Sequence, residues 1–193
     1  MLQFKRILLI FLFLVSCDKE KLSESIVFDN CSCNKGKLKN FIIINDSLKH
    51  YQISIPNNWG PINRELNNDI NGLIVGDSSD FQQKRKFNIV SVTEFFNNDN
   101  SEVNWTEEWK SIFRHYNVID TGTTYVNGLI TRWSIVEYKS GVLDSTYSHY
   151  FYFENPNNLN YYILELAIEK TDQYKKRLCE LEPILESFKI LDY

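Results

Sequence analysis

Seven side chains in this 193-residue chain could carry sulfur or imidazole chemistry: Cys17, Cys31, Cys33 and Cys179, and His50, His115 and His149. Structural zinc takes four ligands in a tetrahedral array, and the histidines are scattered singly, so the spacing gives no metal site. A cysteine nucleophile needs a histidine within hydrogen-bond reach and an electropositive setting. Cys179 with His149 is the one conceivable pair, but His149 alternates with Tyr147, Phe151 and Phe153 and reads as a core imidazole. G-x-S-x-G, H-E-x-x-H, Walker-A and dinucleotide glycine patterns are missing. Asp77-Ser78-Ser79-Asp80 offers oxygen ligands, yet a calcium loop begun there needs Gly and Glu where Gln82 and Asn88 stand, so a polar turn is expected. Neither a catalytic residue nor a cofactor is read from these patterns.

Cys17 differs from the other cysteines in what precedes it. Lys5 and Arg6 make a basic start, Ile7 to Val15 is an unbroken apolar run, and Asp18-Lys19-Glu20-Lys21 follows the cysteine. A spanning helix needs roughly 20 apolar residues, so this shorter run cannot cross a bilayer and fits a removable signal. Leu14-Val15-Ser16-Cys17 resembles the lipobox of bacterial lipoproteins, in which the cysteine thiol is alkylated by diacylglycerol and the new amino terminus is acylated. The resemblance implies a signal peptide over 1–16, a lipidated Cys17 and tether over 17–36, and one domain over 37–193. Two or more acyl chains are enough for stable anchoring. The expected address is the bacterial cell envelope, at the outer membrane rather than the inner.

The formal net charge is -4, and loss of Lys5 and Arg6 makes the mature chain more negative. Nucleic acid calls for clustered Lys and Arg, and Lys84-Arg85-Lys86, the only compact basic run, reads as a solvated loop. Lipidation of Cys17 leaves three cysteines. Disulfides persist outside the cytoplasm, while Cys31 and Cys33 are too close in sequence to bridge each other easily. Either could staple the N-terminal segment to the C-terminal helix through Cys179; three unpaired thiols are the alternative.

The rest of the chain suits a single core. Strands are expected at Phe41-Ile42-Ile43-Ile44, at Tyr51 to Ile55 with period-two alternation, and at Ile70 to Val75. Phe87 to Phe96, apolar at both phases, should be buried on both faces. Pro56 to Pro61 breaks the chain between the second and third. Trp105, Trp109, Ile112, Phe113 and Tyr116 form one helical stripe behind an Asn104 cap with Glu107 at the third position. A four-strand antiparallel meander follows: Thr121 to Val126, the Asn127-Gly128 type I′ turn, Leu129 to Tyr138, Thr146 to Glu154 and Tyr161 to Glu169. A last helix starts at Asp172, and Pro183 should kink or restart it.

This order of elements predicts an α+β domain, an antiparallel β-sheet flanked by helices in an α/β/α sandwich. It resembles the PsbP-like family, which includes the extrinsic protein of photosystem II and a Ran-binding nuclear import factor. The residues that carry the resemblance are Tyr51-Gln52-Ile53-Ser54-Ile55-Pro56 with Trp59, the hairpin Tyr125-Val126-Asn127-Gly128 with Trp133, and Ser187-Phe188-Lys189-Ile190. They are packing residues, and no family activity transfers with them. Tyr150, Tyr152 and Tyr161 are the candidate partner-binding patch, because tyrosine joins an apolar ring to a polar tip. The expected role is a membrane-anchored, non-catalytic module for a protein partner; the rival is a small envelope hydrolase with a site assembled from separate strands.

Overall fold

The computed structural model describes residues 40–77, 88–97, 107, 111–138, 146–155, 157 and 160–191. Within them the strands are β1 (Phe41–Asn45), β2 (Tyr51–Pro56), β3 (Gly60–Leu66), β4 (Ile70–Gly76), β5 (Asn88–Phe95), β6 (Asn117–Val126), β7 (Leu129–Tyr138), β8 (Thr146–Glu154), β9 (Tyr161–Glu169) and β10 (Lys189–Ile190). Apolar residues at alternate positions give β2, β4, β5 and β9 one buried face each, whereas β1 and β3 bury no residue fully. Helix α1 (Tyr174–Ser187) precedes β10. A seven-stranded sheet runs β3-β4-β5-β9-β8-β7-β6 and a three-stranded sheet runs β1-β2-β10. All neighbours are antiparallel.

The large sheet has an inner and an outer face. Val90, Val92, Trp133, Phe151, Phe153, Leu164, Leu166 and Ile168 line the inner one. Over them lie Leu178, Leu181, Ile184 and Leu185 of α1, spaced as one helical stripe, beside Tyr51, Ile53 and Ile55 of β2. Phe188 fills the corner, its ring 4.7 Å from Phe153 and 5.8 Å from Tyr162. On the outer face the ring of Phe113 sits 5.1 Å from Tyr150.

The hairpin β6–β7 turns through Asn127 at φ 50° and Gly128 at φ 82°, the positive values a type I′ turn requires. Asn127 Nδ2 donates to the carbonyls of Glu186 and Phe188, both at 2.7 Å, which ties the turn to the end of α1. Ser187 Oγ donates to the Ser54 carbonyl and accepts from the Ser54 amide at 2.8 Å. Gly122 lies opposite Trp133, and a Cβ there would stand 2.5 Å from the indole, so only glycine lets the ring close over the strand.

Several expectations need correction. The inner layer is one helix plus a second sheet rather than helices alone, so the helix-flanked sandwich holds only in part. β3 begins at Gly60 and Pro61, the end of the stretch expected to be a break, and runs on to Leu66 without having been expected: Pro61 sits on an edge strand, where proline is tolerated, next to a bulge between Pro61 and Asn63. β10 is a two-residue strand stabilised by pairing with β2 rather than by propensity. β5 buries Val90, Val92 and Glu94 but only half-buries Ile89, Ser91, Thr93 and Phe95, so it is not fully buried on both faces. Helical residues 111–113 give way to a turn, β6 starts at Asn117, and Tyr116 falls beyond the helix; Trp105 and Trp109 lie outside the described residues. α1 continues through Pro183 without a restart.

Candidate functional site

Strand register puts Tyr125, Ile130, Glu154, Tyr161, Phe95 and Ile70 in one row across the outer face. At its β6–β7 end Tyr125 is 50% exposed and Ile130 is 62% exposed. Arg132 and Glu154 beside them are exposed as well. Further along, Tyr161 stacks on Phe95 at 4.6 Å and lies 5.7 Å from the ring of Tyr152. The expected tyrosine patch is only partly here. Tyr152 is 2% exposed, and Tyr150 lies half-buried against Phe113, its phenol pushed up in pKa by burial and then by Glu165. Of the three, Tyr161 stays at the surface band, and the residues that open the band are Tyr125 and Ile130. The alternation of Tyr125 with buried Thr124 and Val126 was the signal for them.

A second constellation lies on the inner face, beneath the β1–β2 turn. Glu94 follows Val90 and Val92 on the buried phase of β5 and is 0% exposed. Its Oε1 accepts from Tyr162 Oη and Asn160 Nδ2, both at 3.0 Å, and its Oε2 accepts from Asn71 Nδ2 at 3.0 Å. His50 Nδ1 approaches both oxygens, at 2.9 and 3.0 Å. Asn71 Nδ2 also donates to Asp46 Oδ2 at 2.6 Å. Asp46 in turn accepts from the amides of Leu48 at 2.7 Å and Tyr51 at 2.8 Å.

The cluster therefore fastens the β1–β2 hairpin to the large sheet, and both carboxylates find their donors there. Only His50 reaches out of it. Its side chain is 37% exposed, with Nε2 turned from the carboxylate that fixes the ring. A carboxylate-oriented imidazole is a common support for proton transfer or metal binding, although no group of three metal-ligating side chains occurs among the described residues. Spacing had given His50 no partner. Glu94, a carboxylate at a core phase of an apolar strand, was the readable sign that one must exist.

His149 is buried on the inner face, and its Nε2 shares a hydrogen bond with Tyr174 Oη. Its Nδ1 has no partner, and burial lowers its pKa to about 4. Cys179 is disulfide-bonded, so it offers no thiol to His149. Cys17, Cys31 and Cys33 lie outside the described residues. Asp77 Oδ2 accepts from Asn58 Nδ2 at 3.0 Å, and 78–80 of the polar turn are outside the description.

No family model matches the sequence, and no curated protein matches it. Solved structures do. The solution structure of cyanobacterial PsbP (CyanoP) from Synechocystis matches at TM-score 0.53 and 11% identity, covering 83% of this chain and 98% of that one. A mutant of the protein Mog1 matches at TM-score 0.51 and 10% identity, over 80% and 97%. A crystal structure from Bacteroides thetaiotaomicron matches at TM-score 0.52 and 6% identity over 80% of this chain, which spans 50% of the length of that one. Identities this low speak for architecture alone: the chain has the PsbP/Mog1-like fold.

Proposed function

We propose that this chain is a non-catalytic, partner-binding module held at a bacterial membrane by acyl chains on Cys17. The observation that carries the binding role is the open end of the outer sheet face, where Tyr125 and Ile130 stand exposed beside Arg132 and Glu154. An apolar contact rimmed by one charge of each sign suits a protein surface better than an anionic polymer or a lipid. The lipobox-like Leu14-Val15-Ser16-Cys17 supports an envelope address, with the outer membrane as the proposed destination.

The test compares crosslinking and capture from membranes by the tagged wild type and by the double variant Tyr125→Ser, Ile130→Asp. A defined partner recovered by the first and lost by the second, with unchanged thermal unfolding, is the expected result. Recovery of the protein alone, or of the same proteins by both forms, would defeat the reading. A hydrolase is the second reading, favoured by the His50 imidazole held on Glu94. There His50 Nε2 would take a proton from water, and loss of ester or amide hydrolysis in His50→Ala would be its signature.

A further inference from the structure

We infer that β1 is a strand-addition edge, and that its occupant is β1 of a second copy of this chain, paired antiparallel about Ile43. The surface is one that the proposed recognition band does not use. Among the described residues the two sheets have four edges, β1 and β10 in the small one and β3 and β6 in the large one. An open edge invites another strand, and proteins blunt their edges with proline, charge, bulges or shortness. β3 carries Pro61, Arg64, Glu65 and a bulge. β6 carries a bulge beside Asp120, and β10 has two residues, one of them Lys189. β1, with Phe41-Ile42-Ile43-Ile44-Asn45 in unbroken register, has none of these devices.

The register shows which backbone groups stand open. The Asp46 amide donates to the Tyr51 carbonyl and the Leu191 amide to the His50 carbonyl. Along β2, Tyr51, Ile53 and Ile55 therefore bond toward β1, and the residues between them bond away from it. Ile42 and Ile44, opposite Ile55 and Ile53, spend their amides and carbonyls on β2, so those of Phe41, Ile43 and Asn45 point outward. Of these, the Asn45 carbonyl accepts from Arg64 Nη1 at 3.2 Å, which closes that end of the edge. Ile42 is 43% exposed and Ile43 is 64% exposed.

A second β1 answers this edge group for group. A two-fold axis through Ile43 sets it opposite Ile43 of the other copy and sets Phe41 opposite Asn45, so every outward residue enters a bonded pair and none is taken from β2. The same axis puts Ile42 beside Ile44 of the other copy on the core side of the sheet, and the two Ile43 side chains together on its opposite side, where apolar cross-strand pairs stabilise the seam. β1 holds no charged residue, so two chains of net charge -4 meet without like-charge contact along it. Joining strands this short buries roughly 1,000 Å² in total, the low end for a specific interface. The dimer is therefore reversible rather than obligate.

The test is sedimentation of the full acylated chain in a mild nonionic detergent over a wide range of concentration, with hydrogen exchange followed in a peptide spanning Phe41–Asn45. The protein mass should rise toward that of two copies, and exchange of the peptide should slow with it. Ile43→Lys sets two like charges opposite each other, and Ile43→Pro removes an amide that bonds nothing within one copy, a change an edge strand tolerates. Each should weaken self-association at least about tenfold while thermal unfolding stays within a few degrees of wild type. A wild type that stays monomeric throughout would overturn the inference, and protection of the peptide in that monomer would assign the edge to a different strand donor. Self-association kept by both Ile43 variants would overturn it as well. Self-association lost instead in the Tyr125→Ser, Ile130→Asp variant would move the self-contact to the recognition band. None of these failures touches the proposal that the band binds a protein partner, except the last.

Discussion

The inner and outer faces of the seven-stranded sheet are made by the same strands and treated oppositely. On the inner side β4 to β9 contribute side chains to one contiguous core under α1 and β2, and the buried carboxylate on that face, Glu94, is saturated with donors. On the outer side Phe113 covers Tyr150, while the β6–β7 end is left open. Stability should therefore reside within, and recognition without. Phe151→Ala, which empties a fully buried inner position, should cost about 4 kcal/mol by denaturant unfolding. A loss below about 1 kcal/mol would mean the inner face is less tightly filled than its contacts imply.

The contrast sharpens at Glu94, because a polar group has been admitted to the inner face. Glu94→Ala leaves Asn71, Asn160, Tyr162 and His50 without their shared acceptor. A cost of about 3 kcal/mol is expected, from unpaired buried donors more than from lost attraction. His50→Ala should cost only about 1 kcal/mol, since that side chain is partly solvated. The comparison of the two by urea titration separates a structural clamp from a catalytic dyad. If removing His50 proves as costly as removing Glu94, the solvated ring carries more of the fastening than its position suggests.

His149 gives the inner face a pH dependence. Its folded pKa of about 4 lies below the ordinary 6.5 because burial disfavours the charged ring. Above pH 6.5 the ring is neutral in both states and contributes no slope. Between 6.5 and 4 the unfolded chain takes up a proton that the folded chain refuses, so stability falls as pH falls, by up to ~3 kcal/mol, and levels off below 4. Unfolding curves of His149→Leu should lose that portion of the slope. Wild-type and variant stabilities that fall in parallel would remove His149 as the cause.

A smaller effect is expected where the two faces join. Asn127→Ala removes both 2.7 Å bonds to the end of α1 and places alanine at φ 50°, for about 1–2 kcal/mol. Asn127→Gly relieves the backbone strain but not the lost bonds. It should recover part of the loss in thermal unfolding, and full recovery would make the turn geometry, not the tie to α1, the role of the residue.

How much of this was legible follows from which interactions are local. The β6 to β9 meander could be read because alternation and the Asn127-Gly128 turn are encoded within a few residues. β3 and β10 could not, since Pro61 hides an edge strand and Lys189–Ile190 is extended only because β2 lies beside it. The motif residues fared as packing residues should: Tyr51, Trp133, Asn127 and Ser187 all proved structural. The site was harder, because burial of Tyr152 depends on what covers its strand, and the Asp46, Asn71, Glu94 and His50 cluster draws on a turn and two strands far apart in sequence.

The smallest stability effect is also the most informative about function. Ile130 is mostly solvated, so Ile130→Ser removes little buried area and should change stability by less than about 0.5 kcal/mol. If the outer face is the recognition surface, the same substitution should still weaken partner binding by about 1 kcal/mol or more, because an exposed apolar side chain becomes buried only in the complex. Thermal unfolding and titration of the crosslinked partner, run on one variant, therefore move apart if the two faces divide the work. Should stability drop by several kcal/mol with binding unchanged, Ile130 belongs to the fold, and the separation of a structural face from a recognition face fails at the residue that defines it.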